Sequence, residues 1–306
     1  MDKKLKVILI GLWEFGKKYF KELKLNKKFK ISLILKKKAY FKTYKTIPLN
    51  SIKNIKTNLL NKIDLVIIAT PIETHYNLAN FFLKKKIPII LEKPAASTLS
   101  QIKILNNLSE KNKTSVFVNH TDTFNIYFKK ILKEKKRIGK IKSIKAIYGK
   151  HQANKYFFHS KPHEDWLPHP FSIIKKFIDL DLKILKVDNN LRKIKRYYMQ
   201  NLKVKFIDKK KINVEINYSN IKKLKNRKLI VYGNNGFLYY DGVNQNENFI
   251  CIKGRKMFIK SVNYSSPIQN LLNFSKKKID NKIFFNNLNE AISIKKIINK
   301  INTKIL

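Results

Sequence analysis

A chain of 306 residues is long enough for two domains, and a content of 43% hydrophobic and 12% aromatic residues excludes a disordered protein. The net charge of +47 suggests a nucleic-acid partner, but nearly all of the 67 basic residues are lysines spread along the chain, whereas nucleic-acid sites favour arginine. Lysine, asparagine and isoleucine have A/T-rich codons, so we interpret the charge as codon bias and expect no specific nucleic-acid partner; a selected polyanion-binding surface is the alternative.

The first third of the sequence alternates short apolar strands with helical patterns, which is typical of βαβ units and a parallel sheet. The predicted strands lie near 6–10, 29–35, 47–52, 64–69, 87–91 and 114–119. The predicted helices cover 16–23, 74–84 and about 97–111. Thr74 is a candidate N-cap of the second helix.

The pattern changes near residue 120, where a predicted helix over 126–136 is followed mainly by strands. These predicted strands cover 141–148, 202–207, 212–218, 228–232, 237–240 and 249–252. The turn residues of 233–236 indicate a hairpin, and the tail over 267–301 is again helical. We therefore expect a doubly wound parallel sheet over 1–120 and, over 121–306, an α+β domain with a large, mostly antiparallel sheet.

The cellular compartment is inferred from the cysteine count and from the length of the apolar runs. Cys251 is the single cysteine, so an internal disulfide is excluded. The longest apolar runs have the length of strands, and no membrane helix is predicted. The apolar start of the chain resembles a signal peptide but lacks a cleavage site, and we interpret it as the first strand. A cytoplasmic protein is expected.

A glycine-containing turn follows the first predicted strand. Such a turn binds the pyrophosphate of a dinucleotide through backbone N–H groups and the helix dipole. The candidate cofactor-binding residues are Gly11, Leu12, Trp13, Glu14, Phe15 and Gly16. Trp13 replaces the middle glycine of the fingerprint, and a plain strand-to-helix turn is the alternative interpretation.

The end of the second predicted strand is basic. Lys36, Lys37 and Lys38 stand where a Rossmann protein reads the adenosine ribose, and no acidic residue accompanies them. A basic side chain here suits the 2′-phosphate of NADP, so the cofactor is expected to be NADP(H) or NAD(H), with a slight preference for NADP(H).

From Asp64 onward the stretch DLVIIATPIETHYNLANFFLKKKIPIILEKPAAS resembles the glucose-fructose oxidoreductase / inositol dehydrogenase (Gfo/Idh/MocA) family. The matching residues, at the spacing of that family, are Thr70, Pro71, His75, Glu92, Lys93 and Pro94. Further similarity lies in Asn119-His120-Thr121, in Ile138 to Ile141, in Asp165-Trp166-Leu167-Pro168-His169 and in the helical tail. The resemblance covers most of the chain, apart from 152–162 and 182–223.

The resemblance implies a Rossmann domain followed by a substrate-binding domain whose sheet often forms an oligomer interface, so a homo-oligomer is possible. It implies hydride transfer between nicotinamide and a sugar, nucleotide-sugar or cyclitol carbon. Lys93 corresponds to the catalytic lysine, in a loop often shaped by a cis peptide before Pro94. Asp165 and His169 correspond to the active-site pair of the second domain, and His120 is expected near the substrate. Thr70, Pro71, His75 and Glu92 are expected at the cofactor.

The residue types suit this chemistry independently. His169 can remove a hydroxyl proton near neutral pH, and Lys93 can orient the oxygen or relay the proton. Asp165 could orient the ring or hold a substrate hydroxyl, or act only as a helix N-cap. Glu92 could steady Lys93 or contact the nicotinamide. For the histidines, simple packing is the alternative.

Other features limit this interpretation. His151, His159 and His163 lack the cysteines or tight spacing of a metal site, so no metal is expected. The sequence departs from the family pattern at Trp13, Thr123, Leu167 and Ser172. The alternative to an enzyme is therefore a non-catalytic dinucleotide-binding or structural relative that has the same fold.

Overall fold

The computed structural model describes residues 3–36, 46–48, 52, 55–150, 162–194, 197–221, 224–260 and 264–305. The chain divides into two compact units. Unit 1 consists of Met1–Asn119 and Ile268–Ile292, and unit 2 of His120–Pro267 and Ser293–Leu306. The sequence analysis expected a continuous second domain over 121–306, whereas in the structure Ile268–Ile292 is part of unit 1.

Unit 1 contains a parallel sheet in the order β3-β2-β1-β4-β5-β6, the order of a doubly wound dinucleotide-binding domain. Its strands are β1 (Leu5–Ile10), β2 (Phe29–Lys36), β3 (Thr46–Pro48), β4 (Leu65–Ile68), β5 (Ile89–Glu92) and β6 (Val116–Asn119). The helices between them are α1 (Glu14–Leu25), α2 (Thr57–Leu60), α3 (Ile72–Lys84) and α4 (Leu99–Asn112). Every residue of β4 and β5 is buried, as expected for strands covered on both faces.

Unit 2 contains an eight-stranded sheet in the order β14-β13-β12-β11-β7-β10-β9-β8. Its strands are β7 (Ile141–Gly149), β8 (Lys183–Ile194), β9 (Tyr197–Ile207), β10 (Asn213–Ser219), β11 (Asn226–Gly233), β12 (Gly236–Asp241), β13 (Phe249–Ile252) and β14 (Arg255–Phe258). Only β7 and β10 pair in parallel, and the other neighbouring strands are antiparallel. The predicted fold class, a parallel sheet followed by a mostly antiparallel one, is confirmed.

Short helices of unit 2 carry several of the residues discussed below. A 3-10 helix over Thr121–Phe124 directly precedes α5 (Ile126–Lys133). Two short helices follow β7 along the chain, α6 (Pro162–Trp166) and α7 (Pro168–Ile174). The chain ends with α8 (Pro267–Asp280) and α9 (Leu288–Ile305). The first residues of α9 belong to unit 1 and the rest to unit 2.

Three local predictions need correction. Helix α3 begins at Ile72 with Pro71 as its N-cap, so Thr74 is not the cap. The predicted helix over 126–136 ends as an α-helix at Lys133 and continues as a 3-10 turn. Strand β8 was not predicted, because its lysines and asparagines interrupt the apolar alternation that marks a strand.

No helix among the described residues is long and apolar enough to cross a membrane.

Candidate functional site

The turn between β1 and α1 has the backbone geometry of a phosphate-binding loop. Gly11 has φ +88°, and a Cβ there would lie 2.4 Å from the carbonyl oxygen of Ala69. A Cβ at Gly16 would lie 2.1 Å from the carbonyl oxygen of Gly11. Both positions therefore require glycine, and together they bring the start of α1 close to the ends of β1 and β4. The turn fits the pyrophosphate of a dinucleotide.

Trp13 lies in this turn, at the N-cap of α1. Its backbone is extended, with φ −79° and ψ −162°, which any residue can adopt. The side chain is 62% exposed. The turn therefore forms without a middle glycine, and the tryptophan changes only what covers the loop. Glu14 follows it in the first turn of α1, where its exposed carboxylate adds negative charge beside the loop.

His75 joins two loops at the carboxyl end of the parallel sheet. Its Nδ1 lies 2.8 Å from the carbonyl oxygen of Pro94, and its Nε2 lies 2.8 Å from that of Thr70. The ring is buried, and burial lowers its pKa although both carbonyl groups favour the protonated form. Thr74 also donates a hydrogen bond to Thr70 Oγ1, at 2.7 Å. His75 thus positions the cofactor-side loops, while a direct contact with the cofactor stays a prediction.

Glu92 ends β5 in a buried polar cluster. Tyr19 donates a hydrogen bond from its hydroxyl to Glu92 Oε1 at 2.8 Å, and Asn119 Nδ2 donates to the same oxygen at 2.6 Å. Asn119 is the register partner of Glu92 on β6 and also donates to the Tyr19 hydroxyl. Burial raises the pKa of Glu92, and these hydrogen bonds and the charge of Lys93 only partly oppose it.

Lys93 follows directly after β5. The Lys93–Pro94 peptide is cis, as the family resemblance implied. The lysine is half-buried, and its positive charge favours the ionised form of the neighbouring Glu92. The geometry of unit 1 thus places an ammonium beside a buried carboxylate, at the carboxyl end of the parallel sheet. This is the edge at which open α/β sheets bind their ligands.

In unit 2, His169 lies on α7 and is buried. The carboxylate that faces its ring is Asp122, from the 3-10 helix, with Nδ1 and Oδ2 3.5 Å apart. The sequence analysis considered Asp165 as one residue that could orient the ring and did not identify Asp122. Asp122 is separated from His169 by 47 residues of sequence, and no motif links the two.

Arg227, on β11, completes this cluster and was also missed. Its Nη1 donates to Asp122 Oδ1 at 3.2 Å, and its Nη2 lies 3.5 Å from His169 Nε2. Tyr240 donates to the same Asp122 oxygen at 3.2 Å. Burial opposes the ionisation of Asp122, but Arg227, His169 and Tyr240 outweigh it and hold the pKa of this carboxyl well below its usual range.

The remaining predicted residues of unit 2 are Asp165 and His120. Asp165 lies inside α6, so the alternative that it is an N-cap is wrong. Burial raises the pKa of the Tyr218 hydroxyl, and the charge of Asp165 adds to this effect. His120 is buried, and its carbonyl oxygen accepts hydrogen bonds from Thr123 N and Oγ1. Its role toward a substrate stays a prediction.

His163 has a structural environment. Its Nδ1 faces Gln200 Oε1 at 3.1 Å, and its Nε2 faces Asn302 Oδ1 at 2.7 Å. Within the described ranges, no group of three or more His, Cys, Asp or Glu side chains could hold a metal ion. His151, His159, Lys37 and Lys38 lie outside the described residues, and of Lys36 only the backbone is described, so the basic ribose site stays a prediction.

Comparison with known families supports the assignment of the first unit. The model described as "Oxidoreductase family, NAD-binding Rossmann fold" matches residues 5–120. This segment contains the glycine turn, the Thr70–His75 loop and the Glu92–Pro94 loop. No curated protein sequence matches the chain significantly.

Solved structures resemble the chain over nearly its whole length. A dehydrogenase from Clostridium difficile is 19% identical, with 99% of this chain and 100% of that chain covered and a TM-score of 0.77. A UDP-N-acetylglucosamine 3-dehydrogenase from Acidithiobacillus ferrooxidans is 12% identical, with coverage of 97% and 96% and a TM-score of 0.78. A 3-ketoreductase from Actinomadura kijaniata, in complex with NADP, is 10% identical, with 98% of each chain covered and a TM-score of 0.80. At these identities the likeness is one of fold.

Proposed function

Because residues 5–120 belong to the Gfo/Idh/MocA oxidoreductase family and form its NAD-binding Rossmann domain, we propose that the chain is a dehydrogenase or reductase that acts on carbinol carbons. The proposed substrate is a sugar, nucleotide-sugar or cyclitol-like molecule. The names of the similar structures, which include a nucleotide-sugar dehydrogenase and a ketoreductase, support this substrate class.

The observation that carries the proposal is the buried pairing of His169 with Asp122. A carboxylate that faces one ring nitrogen favours a proton on that nitrogen, and the other nitrogen is left to accept a proton. A histidine in this arrangement can act as the base that alcohol oxidation requires. Simple packing of the ring does not account for a charged partner at its Nδ1 in the interior of unit 2.

Each residue then has a chemical role. When bound, the nicotinamide accepts or supplies a hydride at its C4. His169 takes the hydroxyl proton in oxidation and returns it in reduction. Lys93 orients the reacting oxygen and stabilises its developing negative charge. Asp165 holds a substrate hydroxyl, and Gly11 to Gly16 hold the cofactor pyrophosphate.

The cofactor is proposed to be NADP(H) or NAD(H), with a preference for NADP(H) because of Lys36 and its neighbours. Titration of the purified protein with NADPH and NADH, followed by nicotinamide fluorescence at moderate salt, tests this. Saturable binding is expected, tighter for NADPH, and Lys36→Asp should reverse the preference. If neither nucleotide binds below about millimolar, roughly −4 kcal/mol, the dehydrogenase proposal fails.

Trp13 supplies a second test in the same titration. Trp13→Gly restores the middle glycine, removes the exposed indole and frees the approach to the loop, so we expect it to tighten nucleotide binding severalfold. Leu25→Gly, an exposed apolar position at the opposite end of α1, is the matched control and should leave binding unchanged. Weaker binding by Trp13→Gly would mean that the indole itself contributes to the site.

Catalysis is tested on a panel of sugars and cyclitols with the preferred nucleotide. Lys93→Met and His169→Asn should abolish turnover. Nucleotide binding by His169→Asn should stay within about twofold of the wild type, because His169 acts on the substrate.

The exposed Trp13 favours the second candidate function, a non-catalytic dinucleotide-binding or structural relative. Nucleotide binding without turnover across the panel would support that candidate.

A further inference from the structure

We propose that Asp122 and Arg227 are positioning residues for His169: Asp122 holds the imidazole as the Nδ1–H tautomer, and the Arg227 guanidinium caps the Nε2 lone pair until a substrate oxygen replaces it. This inference rests on the proposed role of His169 as the base. It concerns residues outside the motifs that indicate the family, and it is carried by the geometry of unit 2.

Asp122 is suited to select the tautomer of His169 because hydrogen bonds hold its own carboxylate in place. Both Arg227 Nη1 and the Tyr240 hydroxyl donate to its Oδ1 at 3.2 Å. The other oxygen, Oδ2, is buried and receives no hydrogen bond from the described residues, while His169 Nδ1 faces it at 3.5 Å. A small rotation of the ring closes that gap, as catalytic hydrogen bonds commonly tighten when substrate binds. A proton on Nδ1 satisfies the carboxylate, whereas a lone pair on Nδ1 would repel it.

Arg227 is suited to cap the other nitrogen. Its Nη2 lies 3.5 Å from His169 Nε2, and only an unprotonated Nε2 can face a guanidinium. The guanidinium carbon also lies 5.7 Å from the centre of the Trp166 ring, whose face attracts a cation. Asp122 and Trp166 therefore hold Arg227 in place while its Nη2 exchanges His169 for a substrate oxygen.

The proton and electron balance of the reaction explains the arrangement. In alcohol oxidation the carbinol C–H leaves as hydride to the nicotinamide, the O–H proton moves to Nε2, and the C–O bond becomes a carbonyl. The ring then carries two N–H groups. Asp122 stabilises this imidazolium, while Arg227, by like charge, favours its return to the neutral form.

Groups from every neighbouring element contribute to the setting of His169. Tyr148 and Tyr218 are the register partners of Arg227 and of each other across β11, β7 and β10, so their side chains share its face of the sheet. Among the described residues, the titratable and charged groups of this region include Asp122, Tyr148, Asp165, Tyr218, Arg227 and Tyr240. Asp122 and Arg227 each approach a ring nitrogen of His169 to 3.5 Å.

The test is the tautomer and titration of His169 by NMR of the full chain labelled with ¹⁵N-histidine, without substrate or cofactor. Six histidines give separable ring signals, and His169→Asn identifies the pair that belongs to His169. The wild type should show Nδ1 protonated and Nε2 unprotonated at neutral pH. Asp122→Asn should populate the Nε2–H tautomer and lower the titration midpoint by about 1 pH unit or more, because the anion is removed.

Arg227→Gln should change the same signals in the opposite direction, raising the midpoint by a similar amount, because a cation is removed. Lys228→Gln removes a cation at the next residue of β11, on the other face of the sheet, and is the matched control that should leave His169 unchanged. Arg227→Lys keeps the charge and should restore a midpoint near that of the wild type. If Arg227→Gln fails to fold, Asp122→Asn and Arg227→Lys decide.

An Nε2–H tautomer in the wild type, or tautomer and midpoint unchanged in Asp122→Asn, would overturn the inference. Because these spectra need neither nucleotide nor sugar, the inference can fail while cofactor binding and turnover are observed. Equally, the protein can fail to turn over any substrate although the tautomer is as expected, so the two failures are distinguishable.

Discussion

Of the buried carboxylates in the described part of the chain, Glu92 in unit 1 and Asp122 in unit 2 are held in opposite ways. Glu92 in unit 1 is 5% exposed and Asp122 in unit 2 is 3% exposed, so both are equally removed from water. Yet the pKa of Glu92 is raised and that of Asp122 is lowered. Burial, which favours the neutral acid in both, cannot explain the difference.

The difference lies in the charge of the hydrogen-bonding partners. Glu92 accepts from a hydroxyl and an amide, of Tyr19 and Asn119, which are neutral donors. Asp122 accepts from the guanidinium of Arg227, whose own pKa is raised because the carboxylate outweighs the effect of burial. An acid that can hold a proton therefore lies beside Lys93, and a fixed anion lies beside His169.

The largest effect on stability is expected from removing the cation of the Asp122–Arg227 pair. Arg227→Met leaves Asp122 as a buried anion without its guanidinium and should lower the free energy of unfolding by about 3 kcal/mol. Lys228→Met, at the next residue, also removes a cation from a buried carboxylate, that of Asp241. Lys228 is partly exposed, however, and Asp241 keeps hydrogen bonds from the backbone N–H groups of Val243 and Asn244, so this substitution should cost less than about 1 kcal/mol. Urea denaturation at neutral pH, followed by circular dichroism, measures both.

A double variant shows whether the unpaired charge is the cause. Asp122→Asn combined with Arg227→Met removes the anion that Arg227→Met leaves behind, so the double variant should be more stable than Arg227→Met alone. If the two losses simply add, Arg227 contributes through packing on Trp166, and the comparison of the two carboxylates loses its basis in unit 2.

The pH dependence of stability should separate the two carboxylates next. Glu92 has a raised pKa in the folded state, so its contribution is fully present below the ordinary value of 4.5 and is lost as the pH rises through the raised value. Above the raised pKa the wild type should therefore lose stability, and Glu92→Gln should not show this loss. Asp122 has a lowered pKa, so its contribution is present above the ordinary value of 3.8 and is lost as the pH falls below it.

The measurement is the free energy of unfolding of the wild type, Glu92→Gln and Asp122→Asn between pH 3 and 9. Each unit of difference in pKa between the folded and unfolded states corresponds to about 1.4 kcal/mol. The difference between wild type and Asp122→Asn should shrink toward pH 3, and that between wild type and Glu92→Gln should change in favour of the variant toward pH 9. Parallel curves for either variant would contradict the assigned partner charges.

Sequence alone predicted much of the unit 1 site, for a geometric reason. Neighbouring parallel strands all end at one edge of the sheet, so short contiguous motifs after β1, β4 and β5 meet there. Gly11, His75 and Lys93 each belong to such a motif. By contrast, nothing in the sequence indicates that the hydroxyl of Tyr19, a buried residue of α1, reaches Glu92.

The cluster of unit 2 could not be predicted in the same way. Asp122 and Arg227 lie 47 and 58 residues from His169, on a 3-10 helix and on β11, and the tertiary packing of unit 2 brings them to His169 without any local spacing. One signal was present: arginine is rare in this lysine-rich chain, and a buried cation that directs separate N–H groups to two partners is better provided by arginine than by lysine. Rarity points to a residue but not to its partner.

The smallest expected effect compares the hydroxyl donors of the two carboxylates. Tyr19→Phe and Tyr240→Phe each remove one hydrogen bond, worth about 1 kcal/mol to a neutral acceptor and about 2 kcal/mol to a charged one. Asp122 stays ionised from pH 5 to 9, so the cost of Tyr240→Phe should be constant. Glu92 has a raised pKa, so the cost of Tyr19→Phe should grow as the pH rises through that raised value and the acceptor becomes charged.

Urea denaturation at pH 5, 7 and 9 distinguishes the two tyrosines, and each serves as the control of the other because both hydroxyls are buried and bonded to a carboxylate. A constant cost for Tyr19→Phe would mean that Glu92 does not change its charge in this range. Since the charge of Lys93 lowers the pKa of Glu92, repeating the series with Lys93→Met should raise that pKa further and displace the growth of the Tyr19→Phe cost to higher pH.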